Sequence, residues 1–409
     1  GALALSWAQH RMWFLDRFPG AAAAYVLPMA LQLQGALDLP ALEASLRELV
    51  LRHEALRTRF PTVNGQPCQV IDTVAPLRLE VEELGPEATA LPDAELAQAL
   101  LPLTADMQSP FDLASGPLLR ARVLRQSVDA HILLVTLHHI VADGWSLGVL
   151  TRDLCASYAA RVQNPSALSA ATVLPALAVQ YADFAQWQRA TLTDEALAPQ
   201  LAYWRSTLAG APDLLDLPTD RPRASTASHT GETCALTINA ATTAGLRALA
   251  QHCDATLYMV LLSAWAMLLS RLAGQDEVVI GSPVANRQHP DLEDIVGFFV
   301  NTLAMRVRLE PGMSAKDVIA HVREVSLGAF AHQDAPFERV VDAVSPVRSL
   351  SHSPVFQATF TLQNAPGAEV RLPGITLSPM RVDRLGSPFE LNLTLSESGD
   401  TLVGAVEYA

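Results

Sequence analysis

Residues 131–146 read HILLVTLHHIVADGWS, and this stretch decides the fold. Its first seven residues, 131–137, are mostly apolar and include β-branched side chains, which is typical of a strand buried on both faces. His138 and His139 follow where that strand ends. The Asp-Gly pair at 143–144 then predicts a turn. We therefore expect a strand, a polar turn that carries two histidines, and a helix, in that order.

A histidine at the edge of a sheet can act as a general base or as a hydrogen-bond donor near neutral pH. Asp143 is suited to hold the turn through an ion pair, and Gly144 to adopt a backbone geometry that is closed to other residues. Taken alone, however, a pair of histidines at a strand end is more often a packing feature. A metal site is disfavoured, because neighbouring residues of a strand point to opposite faces and no cysteine is adjacent in sequence.

Helix and strand signals alternate along the rest of the chain, so we predict an α/β fold with mixed sheets. Asp38 predicts a helix start, because the leucines that follow it recur at helical spacing. A further helical stretch is predicted over residues 178–208. The Asn-, Pro- and Ser-containing residues 163–175 predict a loop between two domains, 1–175 and 176–409.

Composition excludes several classes of protein. Of the 409 residues, 50% are hydrophobic and 17% charged, which favours a large core over disorder. With a net charge of −14 and no basic stripe, the chain is not expected to bind nucleic acid or an anionic membrane. The apolar stretch 256–272 is shorter than a membrane span and predicts a buried core helix.

The cysteines and the chain ends give expectations about the cellular compartment and about the extent of the polypeptide. Cys68, Cys155, Cys234 and Cys253 are scattered, which predicts reduced thiols in a cytoplasmic protein rather than disulfides or metal ligands. No basic segment followed by a long apolar run opens the chain, so no signal peptide is predicted. The chain starts without Met and stops after an apparent strand, and we therefore expect a fragment of a longer polypeptide.

Further segments change how the central stretch is interpreted. Residues 138–144, HHIVADG, match the HHxxxDG signature of the condensation domains of nonribosomal peptide synthetases. Six other segments resemble that family's motifs in the family's order: 6–15 (SWAQHRMWFL), 52–60 (RHEALRTRF), 181–188 (YADFAQWQ), 296–302 (VGFFVNT), 332–338 (HQDAPFE) and, in part, 348–354 (RSLSHSP). Seven motifs in order are far more specific than the signature alone, so the chain resembles a condensation domain over most of its length.

The resemblance implies a fold and a set of partners. Condensation domains have two lobes, each like chloramphenicol acetyltransferase, arranged as a V-shaped pseudo-dimer with a tunnel between them. Residues 1–175 would form the N-terminal lobe with the signature, and residues 176–409 the C-terminal lobe with crossover segments. Donor and acceptor peptidyl carrier domains bring substrates on phosphopantetheine arms, and an adenylation domain is adjacent. We expect no metal, no tightly bound cofactor, and a monomeric fragment of a multidomain synthetase.

The implied reaction forms a peptide bond between a donor thioester and the amine of an acceptor aminoacyl thioester. Because a thioester is already activated, holding amine and carbonyl together can remove roughly 7–11 kcal/mol of the barrier. The expected catalytic stretch comprises His138, His139, Asp143 and Gly144, and His139 matches the family's catalytic histidine. Either His139 takes a proton from the amine, or it orients the amine and stabilises the tetrahedral intermediate. The Gly144 N–H is a further candidate donor to the oxyanion.

The other candidate residues have supporting or lining roles. Asp143 is expected to point away from the tunnel and to pair with an arginine of the 52–60 motif, where Arg57 is favoured over Arg52. His138 is expected to support the site by packing or hydrogen bonding. Four residues are expected to line the tunnel: Trp145, Ser146, Asn301 and Thr302.

The subtype is read from the flanking motifs. Cyclization relatives replace the histidines by an Asp-x₄-Asp pattern, which this chain lacks. Segments 12–13, 145–146 and 332–336 resemble domains that join two L-configured residues. Starter domains, which attach a fatty acyl group from coenzyme A or a carrier, have similar motifs and stay an alternative. A non-catalytic platform that recruits partner enzymes is more remote, because such domains tend to lose the histidine present here as His139.

Overall fold

The computed structural model describes residues 2–18, 22–74, 77–84, 100–164, 166, 172–220, 222–223, 231–344, 349, 351–363, 372–380, 387 and 389–409. Parts of the predicted loop at 163–175, and positions 348 and 350 of the seventh motif, lie outside the described residues.

The chain divides into two compact units. The first comprises Gly1–Ala190, Arg287–Phe299 and Ala365–Leu385, and the second comprises Thr191–Asn286, Val300–Asn364 and Gly386–Ala409. Residues 176–190 belong to the first of these units, and the helix that begins at Tyr181 hydrogen-bonds to Ser6 near the N-terminus. The two domains 1–175 and 176–409 stay a prediction. Two short segments from the second half of the sequence also belong to the first unit.

Several helices begin where the sequence supplies a side-chain cap. Asp38 caps the second helix, as predicted. The stretch 178–208 forms two helices rather than one, because Thr193 caps a new helix start. The α-helices of the described residues are α1 (Trp7–Leu15), α2 (Leu39–Arg52), α3 (Leu101–Met107), α4 (Gly144–Gln163), α5 (Tyr181–Thr191), α6 (Asp194–Leu208), α7 (Ala240–His252), α8 (Leu257–Ala273), α9 (Ala315–Ala331) and α10 (Phe337–Val344).

The strands of the described residues form one larger sheet in each unit and two short pairs. They are β1 (Val26–Gln34), β2 (Thr58–Arg59), β3 (Thr62–Val63), β4 (Gln66–Pro67), β5 (Val70–Ile71), β6 (Leu79–Glu83), β7 (Leu119–Ser127), β8 (Ala130–His138), β9 (Glu232–Ile238), β10 (Glu277–Val284), β11 (Asn301–Arg308), β12 (Ala358–Gln363), β13 (Thr376–Met380), β14 (Leu391–Ser398) and β15 (Thr401–Tyr408). The strand order is β13-β1-β8-β7-β6 in the first unit and β11-β10-β12-β14-β15-β9 in the second, while β2 pairs with β5 and β3 with β4.

Strand β8 is the middle strand of the first unit's sheet, where the apolar run predicts it. It pairs antiparallel with β1 on one side and β7 on the other. Leu133 and Val135 pack in a cluster with residues of α2 and α4, whereas Ile132 and Leu134 pack in a second cluster with residues of α3. Because both faces are covered, the strand is mostly apolar instead of alternating regularly with polar residues.

The core of the second unit includes residues of its six-stranded sheet and of helices α8 and α9. Helix α8 contributes Leu261, Leu262, Trp265 and Leu269 to this core, so the apolar stretch 256–272 packs inside the unit. Within the described ranges, no single helix combines the length and apolar character of a membrane span. Helices α7 and α8 meet that test only as a pair, and the pair is bent by 105°.

A buried carboxylate fastens residues 172–174 to α2 and α4. Glu48 of α2 lies 2.9 Å from the guanidinium of Arg161 in α4, and both side chains are fully buried. The Glu48 carboxylate also accepts hydrogen bonds from Ser157 and from three groups of residues 172–174, at 2.5 to 2.8 Å. Burial alone would raise the pKa of Glu48, but these hydrogen bonds lower it below the ordinary value.

We expect Glu48→Gln to lower the free energy of unfolding by about 3–5 kcal/mol, because it leaves Arg161 buried without its counter-charge. The matched control is Glu43→Gln on the same helix, whose partner Arg47 is 60% exposed. That change should cost less than about 1 kcal/mol. Urea unfolding of both variants at neutral pH measures the difference.

The same pair of variants has a defined pH dependence. The folded pKa of Glu48 lies below the ordinary value of 4.5, so its contribution is fully present above that pH and is lost as the pH falls through the folded pKa. The gap in stability between Glu48→Gln and the parent therefore shrinks in acid. A gap that is the same at every pH, or a loss no larger than that of Glu43→Gln, contradicts this assignment.

Candidate active site

His139 stands directly after β8 and is held through both its backbone and its ring. Its backbone N–H donates to the carbonyl of Tyr25 at 2.8 Å, which continues the pairing of β8 with β1. Its ring atom Nδ1 lies 2.9 Å from the carbonyl oxygen of Ala142. The ring of Phe298 packs edge-on against the imidazole. The side chain of His139 is half-buried, whereas that of His138 is fully buried.

The contact with Ala142 fixes the tautomer of His139. A carbonyl oxygen only accepts hydrogen bonds, so Nδ1 carries the proton that it donates. In the neutral ring, Nε2 is then the basic nitrogen. A ring in this state can accept a proton at Nε2 while the turn holds its orientation.

His138 has a supporting position. The backbone N–H of Ile140 donates to its Nδ1 at 3.0 Å, so Nε2 carries the proton and donates to Asp16 at 3.2 Å. The ring also packs edge-on against Phe111. Both nitrogens are therefore engaged in the interior, which matches the expected support role and not a role in proton transfer.

Asp143 is a fully buried carboxylate that organises the turn. It caps α4 by accepting from the backbone N–H of Ser146 at 2.8 Å and from the Ser146 hydroxyl at 2.7 Å. Its second oxygen accepts from the backbone N–H of Phe299 at 3.1 Å. This cap starts the helix at Gly144, so the helix follows the turn as predicted.

The cation paired with Asp143 is Arg287, and the expected pairing with Arg57 was wrong. Nη2 of Arg287 lies 3.1 Å from Asp143 Oδ1, with side chains 1% and 0% exposed. Arg57 instead lies 3.2 Å from Glu54 and donates to the carbonyl of Asp72 at 2.6 Å. β2 directly follows Arg57, and Asp72 directly follows β5. Because β2 pairs with β5, Asp72 lies next to Arg57.

Arg52, the second arginine considered for this role, also has another partner. Its Nε donates to Asp153 of α4 at 2.9 Å, and His53 contacts the same carboxylate oxygen at 3.1 Å. Burial lowers the pKa of His53 although Asp153 opposes the shift, so the ring is neutral and contributes a hydrogen bond rather than a charge. The 52–60 motif therefore stabilises the first unit away from Asp143.

Arg287 was missed by the sequence interpretation. Its Nη1 donates to the carbonyl oxygens of Leu292 and Ile295, and its guanidinium lies 4.1 Å from the ring centroid of Phe299. Burial lowers the pKa of Arg287, and Asp143 opposes that shift. In the sequence Arg287 stands between Asn286 and Gln288, in a polar stretch typical of a surface loop. A buried aspartate requires a cation, but that requirement alone does not select one arginine among many.

Ser146 does not line a surface, contrary to expectation. Its side chain is fully buried, and its hydroxyl lies 3.1 Å from both the backbone N–H of Gly297 and Nη2 of Arg287. A hydroxyl fits this position because it donates one hydrogen bond and accepts others. Ser146 therefore joins the turn to the segment Arg287–Phe299 within the first unit.

Gly144 and Trp145 are the more accessible residues of the turn. Gly144 is exposed, does not adopt a left-handed φ, and would accommodate an added Cβ with nothing within 4 Å. Backbone conformation therefore does not require glycine there. Trp145 is half-buried and donates from Nε1 to the carbonyl of Glu293 at 2.9 Å. A lining role for Trp145 stays a prediction.

Asn301 fastens two motifs together within the second unit. Its amide NH₂ donates to the carbonyls of Gln333 and Ala335, each at 2.8 Å, and its oxygen accepts from the N–H of Phe337 at 3.0 Å. These bonds attach the sixth motif to β11 and use the polar atoms of Asn301 structurally. Thr302 is half-buried. A lining role for Asn301 and Thr302 stays a prediction.

The titratable side chains elsewhere do not form a metal centre in the part of the chain that the structure describes. There, no three His, Cys, Asp or Glu residues lie close enough together to hold a metal ion. All four cysteines are free thiols. Burial raises the pKa of Cys155 to about 12, which makes it a poor nucleophile near neutral pH.

Comparisons with known proteins agree on one family. The family model described as "Condensation domain" matches residues 1–409. Malpinin synthetase of Mortierella alpina is 42% identical over 407 residues, which is 100% of this chain and 5% of that protein. Phosphinothricin tripeptide synthetase of Streptomyces viridochromogenes is 43% identical over 414 residues, 100% of this chain and 37% of that protein. The chain thus spans well under half the length of these relatives.

A solved structure is similar over the whole chain. The X-domain from teicoplanin biosynthesis matches with a TM-score of 0.88 at 32% identity, covering 100% of this chain and 90% of that chain. The same X-domain has been solved in a complex with OxyB, which matches with a TM-score of 0.86 at 31% identity and covers 100% of this chain and 88% of that chain.

A double-mutant cycle tests the pairing of Asp143 with Arg287. Asp143→Asn and Arg287→Gln should couple by about 2–3 kcal/mol in the free energy of unfolding, because either change alone leaves one charge buried and unpaired. Asp143→Asn and Arg57→Gln should be additive to within about 0.5 kcal/mol. Urea unfolding of the single and double variants provides the numbers, and additivity in the first cycle would exclude the ion pair.

The close packing of Gly297 gives a second prediction. A Cβ at Gly297 would lie 1.9 Å from the ring of Tyr181, so Gly297→Ala should destabilise the protein by about 1–3 kcal/mol. The control is Gly148→Ala in α4, where an added Cβ meets nothing within 4 Å. That change should stabilise by up to about 1 kcal/mol through helix propensity. Melting temperatures compare the two, and a Gly297→Ala variant as stable as Gly148→Ala would refute the contact.

Proposed function

The chain belongs to the condensation-domain family of nonribosomal peptide synthetases, which are amide-bond-forming acyltransferases, and on that premise we propose that it joins two L-configured residues during chain elongation. The amine of a carrier-bound aminoacyl acceptor attacks the carbonyl of a carrier-bound donor thioester. A C–N bond forms, the C–S bond breaks, and the donor carrier leaves as a thiol.

The observation that carries the catalytic part of this proposal is the fixed tautomer of His139, while the L-to-L part rests on the flanking segments 12–13, 145–146 and 332–336. Its Nδ1–H is committed to the carbonyl of Ala142 at 2.9 Å, so Nε2 is the basic nitrogen of the neutral ring. In the proposed reaction Nε2 faces the acceptor amine. It takes the amine proton as the C–N bond forms, a contribution of about 10²–10⁴-fold in rate.

A positioning role for His139 uses the same geometry. Nε2 would then accept a hydrogen bond from the amine and orient it, without full proton transfer, while the barrier falls mainly through proximity of the two carrier-bound groups. The Gly144 N–H, at the exposed start of α4, is our proposed donor to the oxyanion. Asp143 and His138 hold the turn from the interior and take no direct part in this scheme.

The partners follow from the proposed reaction. We propose that donor and acceptor peptidyl carrier domains present phosphopantetheine-bound substrates, and that an adenylation domain is adjacent in the same cytoplasmic synthetase. The relatives support partner domains, because the chain covers only 5% of malpinin synthetase and 37% of phosphinothricin tripeptide synthetase. The proposal includes no resident metal or cofactor, no nucleic acid and no membrane.

A second candidate function is that of a recruiting platform. The observation that favours it is the solved complex of the similar X-domain with OxyB. The anchored imidazole of His139 and its half-buried side chain favour catalysis instead, because a pure platform has no need of a fixed basic nitrogen. A starter domain that acylates the first amino acid would use the same histidine and differs only in its donor.

The reaction is tested with the purified chain, one L-aminoacyl acceptor carrier, and a panel of donors: L-aminoacyl carrier, D-aminoacyl carrier, fatty-acyl carrier and acyl coenzyme A. We expect product with the L-aminoacyl donor, followed as the intact mass of the acceptor carrier. His139→Gln should lower the rate by about 10²–10⁴-fold. The matched control is His131→Gln, at the other end of β8, which should keep the parent rate.

The outcomes separate the candidates. Product from fatty-acyl donors alone identifies a starter domain and overturns the elongation proposal. Product only from the D-aminoacyl donor overturns the L-to-L assignment. No product with any donor, or full activity in His139→Gln, overturns the proposed catalytic site and leaves the platform as the better account.

A further inference from the structure

The orientation of the His139 ring depends on a neighbour outside the HHxxxDG signature. The Phe298 ring packs against the imidazole with centroids 5.0 Å apart and planes at 66°. Phe298 itself is 9% exposed, so it has little room to move away. The bond from Nδ1 to Ala142 fixes the tautomer, and the contact with Phe298 limits rotation of the ring.

Phe298 is in turn held by its own backbone and by those of its neighbours. The backbone N–H of Gly297 lies 3.1 Å from the Ser146 hydroxyl, and the backbone N–H of Phe299 donates to the Asp143 carboxylate at 3.1 Å. Both of these side chains come from the turn after β8. The middle carbonyl, that of Phe298, accepts from the hydroxyl of Tyr181 at 2.6 Å. The hydrogen bond to the Phe298 carbonyl therefore comes from Tyr181, which lies outside the turn.

The phenol of Tyr181 is fixed on several sides. Its single proton goes to the carbonyl of Phe298, so the Ser6 hydroxyl donates to the Tyr181 oxygen at 2.8 Å. Its ring packs edge-on against Phe299 at 4.8 Å. A Cβ added to Gly297 would lie 1.9 Å from the Tyr181 ring. The phenol cannot shift without moving residues 297–299 with it.

We propose that Tyr181 is a positioning residue for peptide-bond formation. Its hydroxyl holds the Phe298 carbonyl, Phe298 holds the imidazole of His139, and the imidazole keeps Nε2 directed at the acceptor amine. Tyr181 acts through these contacts and touches no reacting atom. The inference rests on the proposed catalytic role of His139 and adds a residue that the signature does not contain.

The alternative is that Tyr181 only packs in the core. Loss of a buried phenolic hydrogen bond would then lower stability and leave the imidazole where it is. Tyr258 provides a matched comparison, because it is a partly buried tyrosine of the second unit whose hydroxyl lies 2.6 Å from that of Ser282. Tyr181→Phe removes the hydrogen bonds of Tyr181 with Phe298 and Ser6, Tyr258→Phe removes the bond with Ser282, and both variants keep the ring.

The experiment measures three quantities in both variants: the melting temperature, kcat and KM for both carrier substrates, and the Hε1 resonance of His139. That resonance is assigned by its absence from the spectrum of His139→Gln. We expect the melting temperature to fall in both variants. Only Tyr181→Phe should lower kcat, by roughly 3- to 10-fold at unchanged KM, and shift the His139 resonance.

Phe298→Leu keeps the test decisive if Tyr181→Phe does not fold. It removes the aromatic ring from the imidazole, so it should shift the His139 resonance further and lower kcat at least as much as Tyr181→Phe. If kcat and the resonance of Tyr181→Phe match those of Tyr258→Phe, or if Phe298→Leu leaves both unchanged, the positioning role is refuted. Full activity in His139→Gln is a different result. It overturns the proposed function, and it also overturns the positioning role of Tyr181, which depends on that function.

Discussion

The turn after β8 depends on the buried carboxylate of Asp143. Asp143 has no exposed surface, and an isolated carboxylate in the protein interior would cost several kcal/mol, so each of its contacts is required. They are Arg287, Ser146 and the backbone N–H of Phe299. Arg287 and Phe299 are the ends of a segment more than a hundred residues downstream. The need to neutralise one charge therefore fixes a long-range connection within the unit.

That connection separates two roles within a short turn. Asp143 faces inward and serves the fold, whereas His139 is half-buried and donates from Nδ1 to the carbonyl of Ala142. The segment that Asp143 anchors also carries Phe298, which packs on the His139 ring. A substitution at the aspartate would thus disturb the histidine through the intervening segment, so a loss of activity there is not evidence that the aspartate handles a proton.

Local features of this arrangement follow from the sequence, and non-local ones do not. The apolar run of β8, the cap at Asp38 and the HHxxxDG turn depend on neighbouring residues, and periodicity and capping rules capture them. The partner of Asp143 depends on which distant segment returns to the sheet, so Arg57 was preferred and Arg287 overlooked. Ser146 was expected to line the tunnel, but it is buried against Gly297 and Arg287, which are distant from it in sequence.

The central claim is that the turn after β8 presents His139 with its proton on Nδ1 and its basic nitrogen at Nε2. Nitrogen-15 chemical shifts of the His139 ring, recorded with the ring neutral and assigned by loss of the signals in His139→Gln, test it directly. We expect a protonated, pyrrole-like Nδ1 and an unprotonated, pyridine-like Nε2. The opposite tautomer, or rapid averaging between the two, would contradict it.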